Sequence, residues 1–191
     1  MSFSSAQRRI IIFLMLALLM LLTRSAHFAS SINLPSASLA CFFLAGLFIG
    51  RHQAWLSLFA LSVVIDLWSS ALRGDMSACL SPAYPFLAVG YWLLYLFGQF
   101  GQQALACKDK LKASAMIAGL CFIATSLAFF TSNGSYYWFS GQFESLSISQ
   151  YSERVARYYL PYLQSPFIYL SASLVLYFCA PALGIKREQH V

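Results

Sequence analysis

The stretch WLSLFALSVVIDLWSSAL, residues 55–72, holds one charged side chain, Asp66, in a run of otherwise apolar or small residues. Its length approaches the ~20 residues that carry a helix across a hydrocarbon core of about 30 Å. Five further runs read the same way, at about 10–23, 36–50, 84–105, 111–131 and 160–183. The runs at 10–23 and 36–50 are short, so they must recruit small flanking residues or be packed inside a bundle. The chain is therefore expected to be an all-α integral membrane protein with six transmembrane helices, forming one domain over residues 1–191.

Composition supports that class. Of the 191 residues, 60% are hydrophobic and 9% charged, with a mean hydropathy of +0.68, too little polar surface to clothe a soluble domain. The 17% aromatic share suits a chain with two membrane–water interfaces. Arg8 and Arg9 before the first run, with Ala29-Ser30-Ser31 after it, also fit a cleaved signal peptide. The membrane span is the preferred reading, because the rest of the chain is equally apolar.

The formal charge of +6 follows topology and does not suggest nucleic acid. With the N-terminus inside, Arg8, Arg9, Arg51, Lys108, Lys110, Lys112, Lys186 and Arg187 fall on the cytoplasmic side, against Arg24, Arg73, Arg154 and Arg157 outside. That asymmetry is the positive-inside pattern, and it makes the protein N-in and C-in. The outer connections, about 24–35, 73–83 and 132–159, are then the longer ones and the expected seat of function.

Asp66 is the only acidic residue within the six runs. A carboxylate in hydrocarbon costs several kcal/mol unless it is paired or faces a polar cavity, so Asp66 is a candidate site residue. The alternative is a structural role, as an interhelical hydrogen bond or a partner for an outer arginine.

The segment RGDMSACLSPAYP, residues 73–85, follows directly. Cys41, Cys107, Cys121 and Cys179 fall in or at the inner ends of spans and read as small buried hydrophobes. Cys79 alone lies outside, with no cysteine there to pair with and no C-x-x-C spacing. An unpaired thiol in an oxidising compartment is shielded, intermolecular or used. His27 is the only outer histidine, which leaves a poor zinc set and a poor general base. A metal already chelated by its own ring needs just one axial ligand, and haem and corrins both fit. Pro82 and Pro85 bias this segment against helix until the fourth span begins, which would hold Cys79 and Tyr84 at the outer mouth.

Residues 152–162, SERVARYYLPY, read as a short amphipathic helix over that opening, with Glu153 and Arg157 at pairing distance in sequence. Arg154 and Arg157 are candidates for a phosphate or an amide-rich ligand; a solvated face or a pairing with Asp66 is the alternative. The run YYWF, residues 136–139, reads as an interfacial belt. Gly46 and Gly50 form a G-x-x-x-G that permits close helix approach, and Arg73-Gly74-Asp75 is taken as a coincidental tripeptide. No phosphate-binding glycine loop, metalloprotease motif or serine–histidine pair is present.

Six short spans with both ends inside and a binding-type outer face resemble the substrate-binding S-components of energy-coupling factor (ECF) vitamin transporters. Asp66 followed by RGDMSACLSPAYP is similar to the solitary cobalamin-specific members of Gram-negative bacteria, the BtuM family. The resemblance implies a vitamin B12 uptake protein of the inner membrane whose site faces the periplasm. Cys79 would be the axial ligand to corrin cobalt, and Asp66 and Tyr84 would line the pocket. Cobalamin would be cargo, with no other protein-held metal, and Cys79 would also aid removal of cyanide from cyanocobalamin. Partners would be the corrinoid and the lipid bilayer. Residues 17–21, ALLML, keep only the first alanine of the family's A-x-x-x-A docking pattern, which favours solitary function over an ECF ATPase module. Competing readings are an S-component for another vitamin, or a membrane enzyme using the Cys79 thiol.

Overall fold

The computed structural model describes residues 4–24, 35–73, 82–143 and 147–179, and all regular structure among them is helical. In chain order the helices are α1 (Ser5–Arg24), α2 (Ser38–Phe48), α3 (His52–Arg73), α4 (Tyr84–Phe100), α5 (Gln102–Leu105), α6 (Lys110–Phe139) and α7 (Ile148–Cys179). Four of them, α1, α3, α6 and α7, are long and apolar enough to cross a membrane. Their outward faces are apolar too: on α1, Ile10, Leu14, Met15 and Leu18 are all more than half exposed. Such a ridge suits a multi-pass membrane protein, where lipid covers what water would not.

The short run at 36–50 becomes α2, whose 11 residues span only about 16 Å. It lies at the centre, packed against α1, α3, α4 and α7 and buried on every side. Its backbone meets that of α4 directly. A Cβ on Gly46 would run into the Tyr95 carbonyl, and one on Gly98 into the Phe43 carbonyl. Gly46 thus does serve close approach, with Gly98 as its counterpart. Gly50, the other glycine of the G-x-x-x-G, instead turns the chain out of α2 at φ 66°, where its N–H and that of Ile49 both reach the Ala45 carbonyl. α4 and α5 also bond this end of α2 and the turn after it: Gln102 Nε2 donates to Gly46 O at 2.8 Å and Gln99 Nε2 to Gly50 O at 3.0 Å.

Two expectations change at the other end. The run at 111–131 continues as helix to Phe139, and residues 152–162 are the opening turns of α7, not a separate short helix. The long outer connection expected at 132–159 contracts to residues 140–147. With 30 and 32 residues, α6 and α7 measure roughly 45 Å each, well beyond a hydrocarbon core. Their extension is held by side chains. Tyr137 Oη accepts from the Ser147 N–H at 2.8 Å and donates to the Ser147 carbonyl at 3.0 Å. Around it pack Phe143 and Tyr151, with ring centroids at 4.8 and 5.3 Å. The run at 84–105 also divides, into α4 and the single turn α5.

Candidate functional site

Asp66 lies on α3, less than two turns from its end, and it is paired. Arg24, the last residue of α1, donates from Nε to Asp66 Oδ1 at 2.7 Å and from Nη2 to Oδ2 at 2.6 Å. This fork-to-carboxylate geometry fixes both side chains in one plane. The Arg24 side chain is 9% exposed and that of Asp66 20%, so the pair is largely withdrawn from solvent. The remaining Arg24 nitrogen, Nη1, donates to Ser38 Oγ at 2.8 Å and Tyr91 Oη at 2.7 Å. Tyr84 also donates to the carboxylate, reaching Oδ2 at 2.9 Å.

One guanidinium and one carboxylate therefore join the end of α1, the start of α2, the last turns of α3 and the start of α4. Tyr91 is held by stacking on Phe42, centroids 4.2 Å apart, and its ring lies beneath the Arg24 guanidinium carbon at 5.6 Å. The same end of α2 is secured by Thr23, whose hydroxyl accepts from the Ala37 N–H at 3.0 Å. From α7, Tyr169 donates to the Pro35 carbonyl at 2.6 Å, and Ser165 donates to the Ser36 carbonyl.

Of the residues anticipated for the site, Asp66 and Tyr84 are brought together here. The structural alternative for Asp66, a partnership with an outer arginine, is what the structure shows, and Arg24 is that arginine; the linear reading does not single it out from Arg73, Arg154 and Arg157. Arg154 does not take that place. Its Nε donates to Asn133 Oδ1 at 3.1 Å, and its guanidinium carbon lies 5.0 to 5.3 Å from the ring centres of Tyr158, Tyr136 and Phe143. The belt residue Tyr136 is thus part of an arginine cage. Arg154, Arg157 and Glu153 line an open groove of about 430 Å³ with Phe143, Gln142 and Gln150. None of the Arg24 network belongs to that groove, so the anticipated residues occupy two places.

Cys79 and His27 lie outside the described residues. The two roots of the segment bearing Cys79 are described, and they are the elements that Asp66 and Tyr84 tie together. Among the described residues Cys41 and Cys121 are buried, Cys107 is half-buried, Cys179 is exposed, and all four are free thiols. Cys41 donates to the Leu16 carbonyl at 3.4 Å, consistent with a packing role. No cluster of three or more His, Cys, Asp and Glu side chains occurs among the described residues.

Comparison of the chain with protein-family models and with curated proteins finds no match to either.

Proposed function

We propose that this protein is a cobalamin carrier of the bacterial inner membrane, an S-component-like bundle of six spans with both termini in the cytoplasm. Cobalamin or a corrinoid precursor binds at the periplasmic face, with Cys79 as axial ligand to cobalt. The observation that carries the reading is the 2.9 Å hydrogen bond from Tyr84 to Asp66, anchored by Arg24. It draws the end of α3 and the start of α4 together, so the chain between them leaves and re-enters the bundle at one polar, braced point. A single thiol in that connection can meet a metal that brings its own equatorial ring.

The lower base of the corrinoid leaves cobalt, the Cys79 thiol gives its proton to water, and the thiolate takes the vacated axial position. Asp66 and Tyr84 position the roots of the cysteine segment and line the pocket, while Arg154 and Arg157 offer donors to amide or phosphate groups on the ligand's periphery. A thiolate pushes electron density through cobalt and weakens the bond to a cyanide on the opposite face. The cyanide then leaves with its bonding pair and is protonated in water to HCN, with cobalt remaining trivalent. Inward opening and capture in the cytoplasm complete uptake, without a dedicated ATPase module.

The test is optical. Protein purified from cells grown with cobalamin should be red, and Cys79→Ser should bind a corrinoid with displaced visible bands. A protein that stays colourless after saturating exposure overturns the carrier, and an unchanged spectrum in Cys79→Ser overturns the axial ligand.

A further inference from the structure

At the end of the bundle opposite the Arg24–Asp66 pair, the chain gathers cations. Arg9 lies in the first turns of α1, Arg51 joins α2 to α3, and Lys108, Lys110 and Lys112 surround the start of α6. The acidic residue among these lysines, Asp109, is engaged as the N-cap of α6, accepting from the Leu111 and Lys112 N–H groups at 3.0 and 3.2 Å.

Between α1 and the start of α3 runs a groove of about 260 Å³. Arg9, Ile10 and Phe13 line it from one face of α1, at helical spacing, and Arg51, Ala54 and Ser57 line it from the other side. No acidic side chain lines it. Among the described residues neither the Arg9 nor the Arg51 guanidinium has a hydrogen-bond or ion-pair partner. Of the carbonyls close to Arg51 in the chain, that of Gly50 accepts from Gln99 Nε2 and that of Gly46 from Gln102 Nε2. Two unneutralised guanidinium groups therefore share a largely apolar groove.

We propose that this groove binds an anionic phospholipid, its phosphate held by Arg9 and Arg51. Charge complementarity selects an anionic headgroup, and the apolar remainder of the lining selects a lipid over free phosphate. Ile10, Leu14 and Leu18 are 58%, 59% and 56% exposed and form one stripe of α1 leading away from the groove, a track for an acyl chain. Basic grooves between helices on the cytoplasmic side of a membrane are suited to such headgroups. The inference rests on the membrane-protein reading but not on the identity of any cargo.

The experiment measures thermal unfolding of the full-length protein in neutral detergent during titration with phosphatidylglycerol or cardiolipin, and with phosphatidylcholine of the same acyl chains. The anionic lipids should raise the midpoint. In Arg9→Gln/Arg51→Gln the lipid concentration needed should rise roughly 30-fold, about fivefold for each surface cation removed. Lys110→Gln/Lys112→Gln removes equal charge from the same end and should leave the titration near wild type. Equal loss in both double variants, an equal response to phosphatidylcholine, or a response reproduced by inorganic phosphate would each overturn the proposal. So would a photo-crosslinker at Ser57 that captures polypeptide and no lipid in native membranes. Unfolding without added lipid confirms that both variants are folded.

Discussion

Arg24 and Asp66, 42 residues apart, meet through two parallel hydrogen bonds of 2.7 and 2.6 Å and close one end of a four-helix junction. A carboxylate among apolar helices is thereby neutralised by the terminal residue of the neighbouring helix, and neither charge has to be solvated by lipid.

Removing either partner strands the other. Arg24→Met or Asp66→Leu alone should lower the unfolding free energy by about 3 kcal/mol, whereas Arg24→Met/Asp66→Leu should lie closer to wild type than the sum of the two single changes. Denaturant unfolding in detergent provides the cycle. Additive losses would mean that the pair contributes no coupling.

Tyr84→Phe deletes one hydrogen bond to a charged acceptor while the Arg24 fork remains. The stability cost should be about 1.5 kcal/mol. If Tyr84 also holds the root of the cysteine segment, corrinoid affinity in a spectral titration should fall roughly tenfold, the equivalent of that energy. An unaltered titration would remove Tyr84 from the site.

The crossing of α2 and α4 predicts opposite outcomes for two glycines. Gly98→Ala forces a methyl into the Phe43 carbonyl and should destabilise by about 1–3 kcal/mol. At Gly119, on α6, an added Cβ meets nothing within 4 Å. Gly119→Ala should therefore be neutral or stabilising by up to about 1 kcal/mol through helix propensity. Thermal midpoints of the two variants decide it.

Orientation can be read with a membrane-impermeant maleimide on single-cysteine variants. A variant retaining Cys79 should label from the periplasmic side of spheroplasts. One retaining Cys107, half-buried just before α6, should label only after permeabilisation. The reverse pattern would invert the topology and move the candidate site to the cytoplasm.

Hydropathy identified the long helices because a chain in lipid must satisfy its backbone groups within each segment. It located their ends less well. The apolar pattern ends at 131, but α6 continues to Phe139, where the Tyr137–Ser147 clasp ties its last turns to the residue before α7. The G-x-x-x-G at Gly46 and Gly50 flagged a close approach, yet its counterpart, Gly98, is 52 residues from Gly46 and on another helix. Asp66 stood out by cost alone, and its partner did not, since Arg24, Arg73, Arg154 and Arg157 are equivalent in a linear reading.

The sequence by itself determined the class of fold, the excess of cations on one set of connections over the other, and the two residues, Asp66 and Cys79, that apolar surroundings or isolation make chemically conspicuous. These are properties of single residues against a solvent, and they need no neighbour to be known. Only the tertiary structure decided that Arg24 answers Asp66, that Tyr84 joins them, and that Arg154 bonds Asn133 through Nε and packs among three aromatic rings. Those choices depend on which side-chain donors and acceptors come within about 3 Å of one another, the range over which a hydrogen bond forms. Packing through Gly46 and Gly98 sets the close approach of α2 and α4, the two helices that supply Ser38 and Tyr91 to Arg24.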